Sequence, residues 1–242
     1  NEEEKKININ KDKKIFIKTE DNSLLTLNNA FSDISYEITI KKNYSLKKPL
    51  IVYHSTNDNI KSTNINLQLN FFLEENSSLR IIDIFEEQSE KNLINIFYNF
   101  DLKKNSILKN FKIDKNENTN MKYSYNMINQ DTNSVSETFI LSSGSKFMKN
   151  EIVCNLKEKY SSAFISGVIN LKNNQQHEIK TNVNHLAENT KSYQLIKSIL
   201  NENSKGIYQG KIFVDSKAQK TNGYQLSKAI LLNENVEFDA KP

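Results

Sequence analysis

The sequence has 242 residues, of which 37% are hydrophobic and 26% are charged, and its 13 Phe and 10 Tyr argue against a disordered chain. Its one cysteine excludes an intrachain disulfide and a metal site built on several cysteines. The formal net charge of +4 comes without a concentrated basic stripe, so the charge does not indicate a nucleic-acid partner.

The predicted elements follow a polar segment. Residues 1–23 are predicted to be a lead-in, or the end of a missing N-terminal region, and residues 24–242 to form one domain. Within this domain, short runs alternate apolar and polar residues, and period-two alternation predicts half-buried strands. The predicted strands are 34–40, 65–71, 79–84, 93–100, 107–113, 135–141, 147–156, 163–169, 207–214 and 224–232.

The spacing of these strands bears on the fold class. The intervals hold no convincing amphipathic helix, which disfavours a βαβ sheet. Asn222-Gly223 is the one Asn-Gly or Asp-Gly pair, so a meander of two-residue hairpins has little support. A sandwich, a barrel and a β-solenoid remain, and the pattern favours the solenoid, although no strict repeat is visible. Residues 185–200 fit both helix and strand spacing.

Three histidines and the hydroxyls near His185 are candidates for chemistry. His54, His177 and His185 lack the short spacings of a zinc site. His185 precedes Thr190 and Ser192, the residue types of nucleophilic catalysis, but no Gly-x-Ser-x-Gly elbow is present. We therefore expect His185 to be a structural side chain that is hydrogen-bonded within a coil.

Cys154 and two glycines complete the candidates. Alternation places Cys154 on the apolar face of its strand, where a buried small hydrophobe is expected. The alternative is a thiol that relays sulfur, which requires a depressed pKa and access. Gly206 and Gly210 do not form a phosphate loop, and we assign them to a turn and to a close backbone approach between coils.

The most specific motifs lie in residues 185–242. They read His185-Leu-Ala-Glu-Asn-Thr-Lys-Ser-Tyr-Gln-Leu-Ile-Lys197, then Gly206-Ile-Tyr-Gln-Gly210, then Ala218-Gln-Lys-Thr221 with Gln225. Here the sequence resembles the SufB/SufD family of iron–sulfur cluster assembly scaffold proteins, and more closely its SufD branch. The resemblance covers most of residues 24–242. It assigns structural or interface roles to His185, Thr190, Ser192, Lys197, Gly206, Gly210, Ala218, Gln219, Lys220, Thr221 and Gln225.

The resemblance implies a fold and a function. The fold is all-β, a right-handed parallel β-helix, with a strand within residues 185–200. The function is that of a non-enzymatic SufD-like scaffold subunit, without catalytic or metal-binding residues of its own. The implied partners are a SufB-like subunit and a SufC-like ATPase, with a homodimer as a further option and with neither nucleic acid nor membrane.

The implied cofactor and location follow from this assembly. The chain by itself binds no cofactor, and an iron–sulfur cluster belongs to the assembled complex. The location is the cytoplasm, or an organellar stroma in a plastid-bearing organism. In the family, a cluster-proximal histidine and SufC-binding helices follow a Lys-Pro such as Lys241-Pro242, so these features are expected beyond this sequence.

Two rival functions remain open. A β-helix carbohydrate-active enzyme, such as a polysaccharide lyase, predicts a cluster of acids and bases on one face of the β-helix. A non-catalytic β-solenoid interaction module predicts a strict coil repeat and an exposed, patterned surface.

Overall fold

The computed structural model describes residues 5–16, 22–56, 62–87, 90–115 and 117–241, which form one helix and sixteen strands. The elements are β1 Ile7–Lys11, α1 Ser23–Phe31, β2 Ile34–Ile40, β3 Leu50–Thr56, β4 Asn64–Leu73, β5 Ser78–Glu87, β6 Leu93–Leu102, β7 Ile107–Asp114, β8 Met121–Gln130, β9 Val135–Ser142, β10 Phe147–Leu156, β11 Ser162–Leu171, β12 Gln176–His185, β13 Lys191–Leu200, β14 Lys205–Val214, β15 Asn222–Leu231 and β16 Glu237–Lys241.

Successive strands alternate between two sheets. The large sheet has the order β1-β2-β4-β6-β8-β10-β12-β14-β16, and the small sheet has the order β15-β13-β11-β9-β7-β5-β3. Neighbouring strands are parallel, except that β1 pairs antiparallel with β2. One strand from each sheet makes a coil, and about seven coils stack into a β-solenoid. The prediction of an all-β parallel β-helix is confirmed.

The coils repeat in register, although no strict repeat was visible in the sequence. Asn76 and Asn105 occupy equivalent positions 29 residues apart, and Asn105 and Asn133 are 28 residues apart. At one corner a hydroxyl of each coil donates to the carbonyl three residues earlier, and the preceding residue has a positive φ. These hydroxyls belong to Ser77, Ser106, Ser134, Ser161, Thr190 and Thr221. The repeat is not visible in the sequence because only a few positions of each coil carry similar residues and because the coil length varies.

The core fills the space between the two sheets. Inward side chains stack from coil to coil, as Phe71 and Phe100 do with ring centroids 5.0 Å apart. Each fully buried aliphatic or aromatic side chain contributes roughly 1.5–3 kcal/mol through its removal from water. This stacking requires alternation, so the predicted strands coincide with strands of the structure, only the strand predicted over 224–232 running one residue past β15, and residues 185–200 contain strand β13.

Five strands were not predicted, namely β1, β3, β8, β12 and β16, and two long ones of the large sheet, β8 and β12, show a physical reason. The inward positions of β8 begin with Lys122, Ser124 and Asn126, and those of β12 begin with His177. Their polar inward side chains break the apolar alternation on which the prediction depends. The strands form because both neighbouring strands pair with them along their length.

The N-terminal part adds a strand and the helix to the large sheet. Asn22 caps α1 by accepting a hydrogen bond from the Leu25 amide, and Asn28 donates to the carbonyls of Leu67 and Asn95 on the outer face of that sheet. Strand β1 lies within the predicted lead-in, whose residues 1–4 and 17–21 are outside the described residues, as is Pro242. The boundary at residue 24 stays a prediction. No helix of the described ranges is long and apolar enough to cross a membrane.

Candidate functional site

His185 ends strand β12 and points into the solenoid, where it is fully buried. Its Nδ1 lies 2.7 Å from Thr190 Oγ1, and its Nε2 lies 2.9 Å from Ser192 Oγ. Burial lowers the pKa of His185 to about 4, so the ring is neutral at pH 7. The contacts link β12 to the start of β13, as expected for a structural histidine. A nucleophile would also need substrate access, and Ser192 is buried.

The same corner extends into the last coil. Thr190 Oγ1 lies 3.2 Å from Thr221 Oγ1, and Thr221 donates to the carbonyl of Ala218, whose side chain is buried. Gln219 is exposed and donates to Ser216, and Lys220 adopts a positive φ of 58° at the turn. The structure therefore brings His185, Thr190, Ser192, Ala218 and Thr221 together at one corner.

Gly206 and Gly210 both lie inside strand β14, and neither has a positive φ. The prediction that one of them forms a turn is wrong. A Cβ on Gly210 would lie about 2.4 Å from the side-chain amide of Gln225, and one on Gly206 would lie 3.0 Å from Leu200 Cδ2. At both glycines a neighbouring side chain thus occupies the space that a Cβ would fill. The close approach is between a glycine and a side chain.

Lys197 and Cys154 lie away from this corner. Lys197 points outward from β13, next to Lys228 of β15. Cys154 points inward from β10 and is fully buried, and burial raises the pKa of its thiol to about 12. The sulfur-relay alternative requires a low pKa and access, and Cys154 has neither here.

A buried cluster of ionisable side chains in the first half of the solenoid was missed by sequence reading. His54 Nε2 lies 2.7 Å from Asp83 Oδ1, and the Tyr98 hydroxyl donates to Asp83 Oδ2. Lys112 Nζ lies 3.5 Å from Asp83 Oδ2, 3.0 Å from Ser124 Oγ and 3.2 Å from the centroid of the Tyr98 ring. Strands β3, β5, β6, β7 and β8 each supply one member of the cluster.

The electrostatics of this cluster follow from burial and pairing. Burial raises the pKa of Asp83, but His54, Lys112 and Tyr98 outweigh it, and the pKa lies below its usual range. Burial lowers the pKa of Lys112 to about 8, although Asp83 opposes that shift. A second ion pair joins Lys122 Nζ to Asp114 Oδ2 at 2.8 Å.

The signal for this cluster was present in the sequence. Asp83, Lys112, Asp114 and Lys122 share the inward phase of their strands with apolar neighbours such as Leu79. A charge in an apolar phase indicates a buried ion pair, because an isolated buried charge is costly. Next to the cluster, a cavity of about 770 Å³ opens between β2, β3 and β4, lined mostly by aliphatic and aromatic side chains and by His54.

Acids and bases also meet on the outer face of the large sheet. Lys149 Nζ lies 3.2 Å from Glu151 and 3.5 Å from Glu178, and Lys180 lies 3.5 Å from Glu151. Burial lowers the pKa of Lys149, but Glu151 and Glu178 outweigh it and hold the pKa above its usual value. Across the described residues, no three His, Cys, Asp or Glu side chains are grouped as a metal site would require.

Comparison with known protein families gives a match. A family model described as "SUF system FeS cluster assembly, SufBD core domain" matches residues 55–242. The matched range runs from the end of β3 through β16 and contains the corner around His185. No curated protein matches the sequence significantly.

Proposed function

Because the chain belongs to the SufBD core family of the SUF iron–sulfur cluster assembly system, we propose that it is a SufD-like scaffold subunit of a SufB–SufC–SufD complex. The match over residues 55–242 is the observation that carries the role in cluster assembly. The assignment to the SufD branch rests on the motifs within residues 194–197 and 206–210.

The proposed subunit is non-catalytic. His185 and Cys154 are the candidate side chains whose types are most often catalytic, and both are buried packing groups here. ATP hydrolysis then belongs to the SufC-like partner, and the cluster is the cargo of the assembled complex rather than a cofactor of this chain. The proposed location is the cytoplasm, or the stroma of a plastid-like organelle.

The rival functions have less support. The acids and bases on the large sheet form mutual ion pairs, and a lyase base such as Lys149 would need a lowered pKa, whereas its pKa is raised. The coil repeat of about 29 residues agrees with a plain interaction module. That repeat is equally a property of a β-helix scaffold, and the family match favours the scaffold.

Affinity purification of the intact protein from its own cells tests the proposal, with subunits identified by mass spectrometry. We expect a SufB-like subunit and a SufC-like ATPase in the eluate. Recovery of neither partner with the unmodified protein would contradict membership of the complex.

A further inference from the structure

The outer faces of the two sheets differ in chemistry. On the large sheet the outward side chains of β4 and β12 are mostly Asn, Gln, Lys and Glu, and α1 lies across β4 and β6. On the small sheet the outward side chains of β11, β13 and β15 are mostly apolar, and we name this surface the β11–β13–β15 face. Its apolar members are Phe164, Val168, Tyr193, Leu195, Ile199, Tyr224, Leu226 and Ile230.

This face is open to solvent in the part of the chain that the structure describes. Phe164, Tyr193 and Tyr224 form one row across the three strands and are 42%, 41% and 45% exposed. The rings of Tyr193 and Tyr224 stack with centroids 4.8 Å apart. A contiguous exposed apolar patch on a folded domain indicates an interaction site, because the exposure of apolar surface to water is unfavourable.

The charges of the β11–β13–β15 face indicate which kind of partner it binds. Lys191, Lys197 and Lys228 point outward from β13 and β15, and no described carboxylate pairs with them. The outward positions of the three strands carry no acidic side chain. A second copy would therefore bring lysines to lysines, whereas an acidic partner would match them.

The dimensions of the face suit a helix. Three strands spaced about 4.8 Å apart present a strip roughly 10 Å wide, which is close to the diameter of an α-helix. A ten-residue strand extends about 33 Å, the length of a helix of about 20 residues. The solenoid already holds α1 on the outer face of its other sheet.

We infer that the β11–β13–β15 face is the docking site of an amphipathic helix of a partner protein, with an apolar stripe flanked by acidic side chains. The helix would run along the strands, with its stripe over Tyr193, Leu195 and Ile199 of β13, and its acidic side chains would meet Lys197 and Lys228. This contact involves the outer face of the small sheet.

A synthetic peptide of about 20 residues tests the inference, with leucines at helical i, i+3, i+4, i+7 spacing and glutamates on both flanks. Its binding to the full chain is followed by fluorescence anisotropy. We expect the glutamate peptide to bind and a lysine-flanked peptide to fail. The double variant K197E/K228E should bind the glutamate peptide about tenfold more weakly, while Lys211→Glu on the large sheet should bind it as the parent does.

Thiol labelling locates the peptide independently. Because Cys154 is fully buried, Tyr224→Cys and Lys211→Cys each provide one reactive thiol in the folded chain. The peptide should slow labelling of Tyr224→Cys and leave Lys211→Cys unchanged, with thermal melts confirming that both variants fold. Equal protection of the two thiols would overturn the inference.

Other occupants would be recognised by their own results, each of which overturns the inference. One is co-sedimentation with phosphatidylserine vesicles that K197E/K228E abolishes, without peptide binding. Another is a dimer in sedimentation equilibrium that Tyr224→Asp dissociates. Equal binding of the glutamate and lysine peptides would remove the charge argument altogether.

Discussion

At the scale of the residue, buried polar groups distinguish this solenoid. His177 is buried with Nε2 donating to the Ser145 carbonyl and Nδ1 2.8 Å from Ser142 Oγ, and His185 is held by Thr190 and Ser192. Burial is the main reason that the pKa of each ring falls to about 4. Each ring is therefore a neutral hydrogen-bonding group whose protonation opposes folding.

These two histidines predict acid sensitivity. The unfolded chain takes up a proton near pH 6.5, whereas the folded rings resist protonation down to about pH 4, so stability is present above pH 6.5 and lost as the pH falls towards 4. Between pH 7 and pH 5 we expect each to lower the free energy of unfolding by about 2 kcal/mol. Urea titrations at both pH values measure this.

A pair of variants isolates the effect. His185→Gln should reduce the pH-dependent loss, while Ser192→Ala should lower stability about equally at both pH values because it removes a hydrogen bond but no titrating group. An unchanged pH dependence in His185→Gln would mean that this ring does not resist protonation in the folded protein.

The buried ion cluster gives a second prediction. Asp83→Asn removes the carboxylate that faces His54, Tyr98 and Lys112, so an ammonium group is left buried without its counter-charge. We expect a loss of about 3–5 kcal/mol in the free energy of unfolding. Lys112→Met should cost less, because Asp83 keeps two of its partners. Chemical denaturation measures the free energy of unfolding of both variants. A larger loss in Lys112→Met than in Asp83→Asn would contradict the assignment of charges.

At the scale of the element, alternation could be read from the sequence wherever inward positions are apolar. This holds for β10, in which Ile152, Cys154 and Leu156 all point inward as expected. It fails for β8, whose inward Lys122 and Ser124 interact with groups on neighbouring strands. The cluster around Asp83 draws its members from five strands between His54 and Ser124, so it could not be assembled from one sequence, although the phase of its charges could be read.

The registers of β12 and β13 predict how a charge changes stability on the inner and on the outer face of a sheet. Ile179 is fully buried and Ile199 is partly exposed on the outside. Ile179→Asp should cost at least about 4 kcal/mol through an unpaired buried charge, and Ile199→Asp no more than about 1 kcal/mol. Thermal melts compare them, and similar losses would show that the register is wrong.

The asparagine ladder at the corner of the coils makes a further prediction. Asn105 has a φ of 58°, donates to Asn76 Oδ1 at 2.8 Å and accepts from Asn133 at 3.2 Å. Asn105→Gly should lose only the ladder, whereas Asn105→Ala should cost about 1 kcal/mol more because alanine disfavours a positive φ. Calorimetry separates the two, and equal losses would argue against the left-handed turn.

At the scale of the whole molecule, two long sheets enclose a filled interior and leave their surfaces for partners. The described cavity and the exposed last coil lie at opposite ends of the coil stack, and the apolar face runs along the small sheet. The motifs within residues 185–242 identified the family from sequence, and the family model agrees over residues 55–242. The apolar outer face could not be predicted, because outward residues of one strand acquire meaning only beside those of its neighbours.

The central claim is that this chain supports iron–sulfur cluster assembly as a scaffold. The most direct measurement is cluster transfer from the reconstituted SUF proteins to an apo-ferredoxin acceptor, followed by the visible absorbance of the acceptor with and without this chain. The account predicts that transfer falls sharply when this chain is omitted and returns when it is added back. Equal transfer in its absence would contradict the proposed scaffold role.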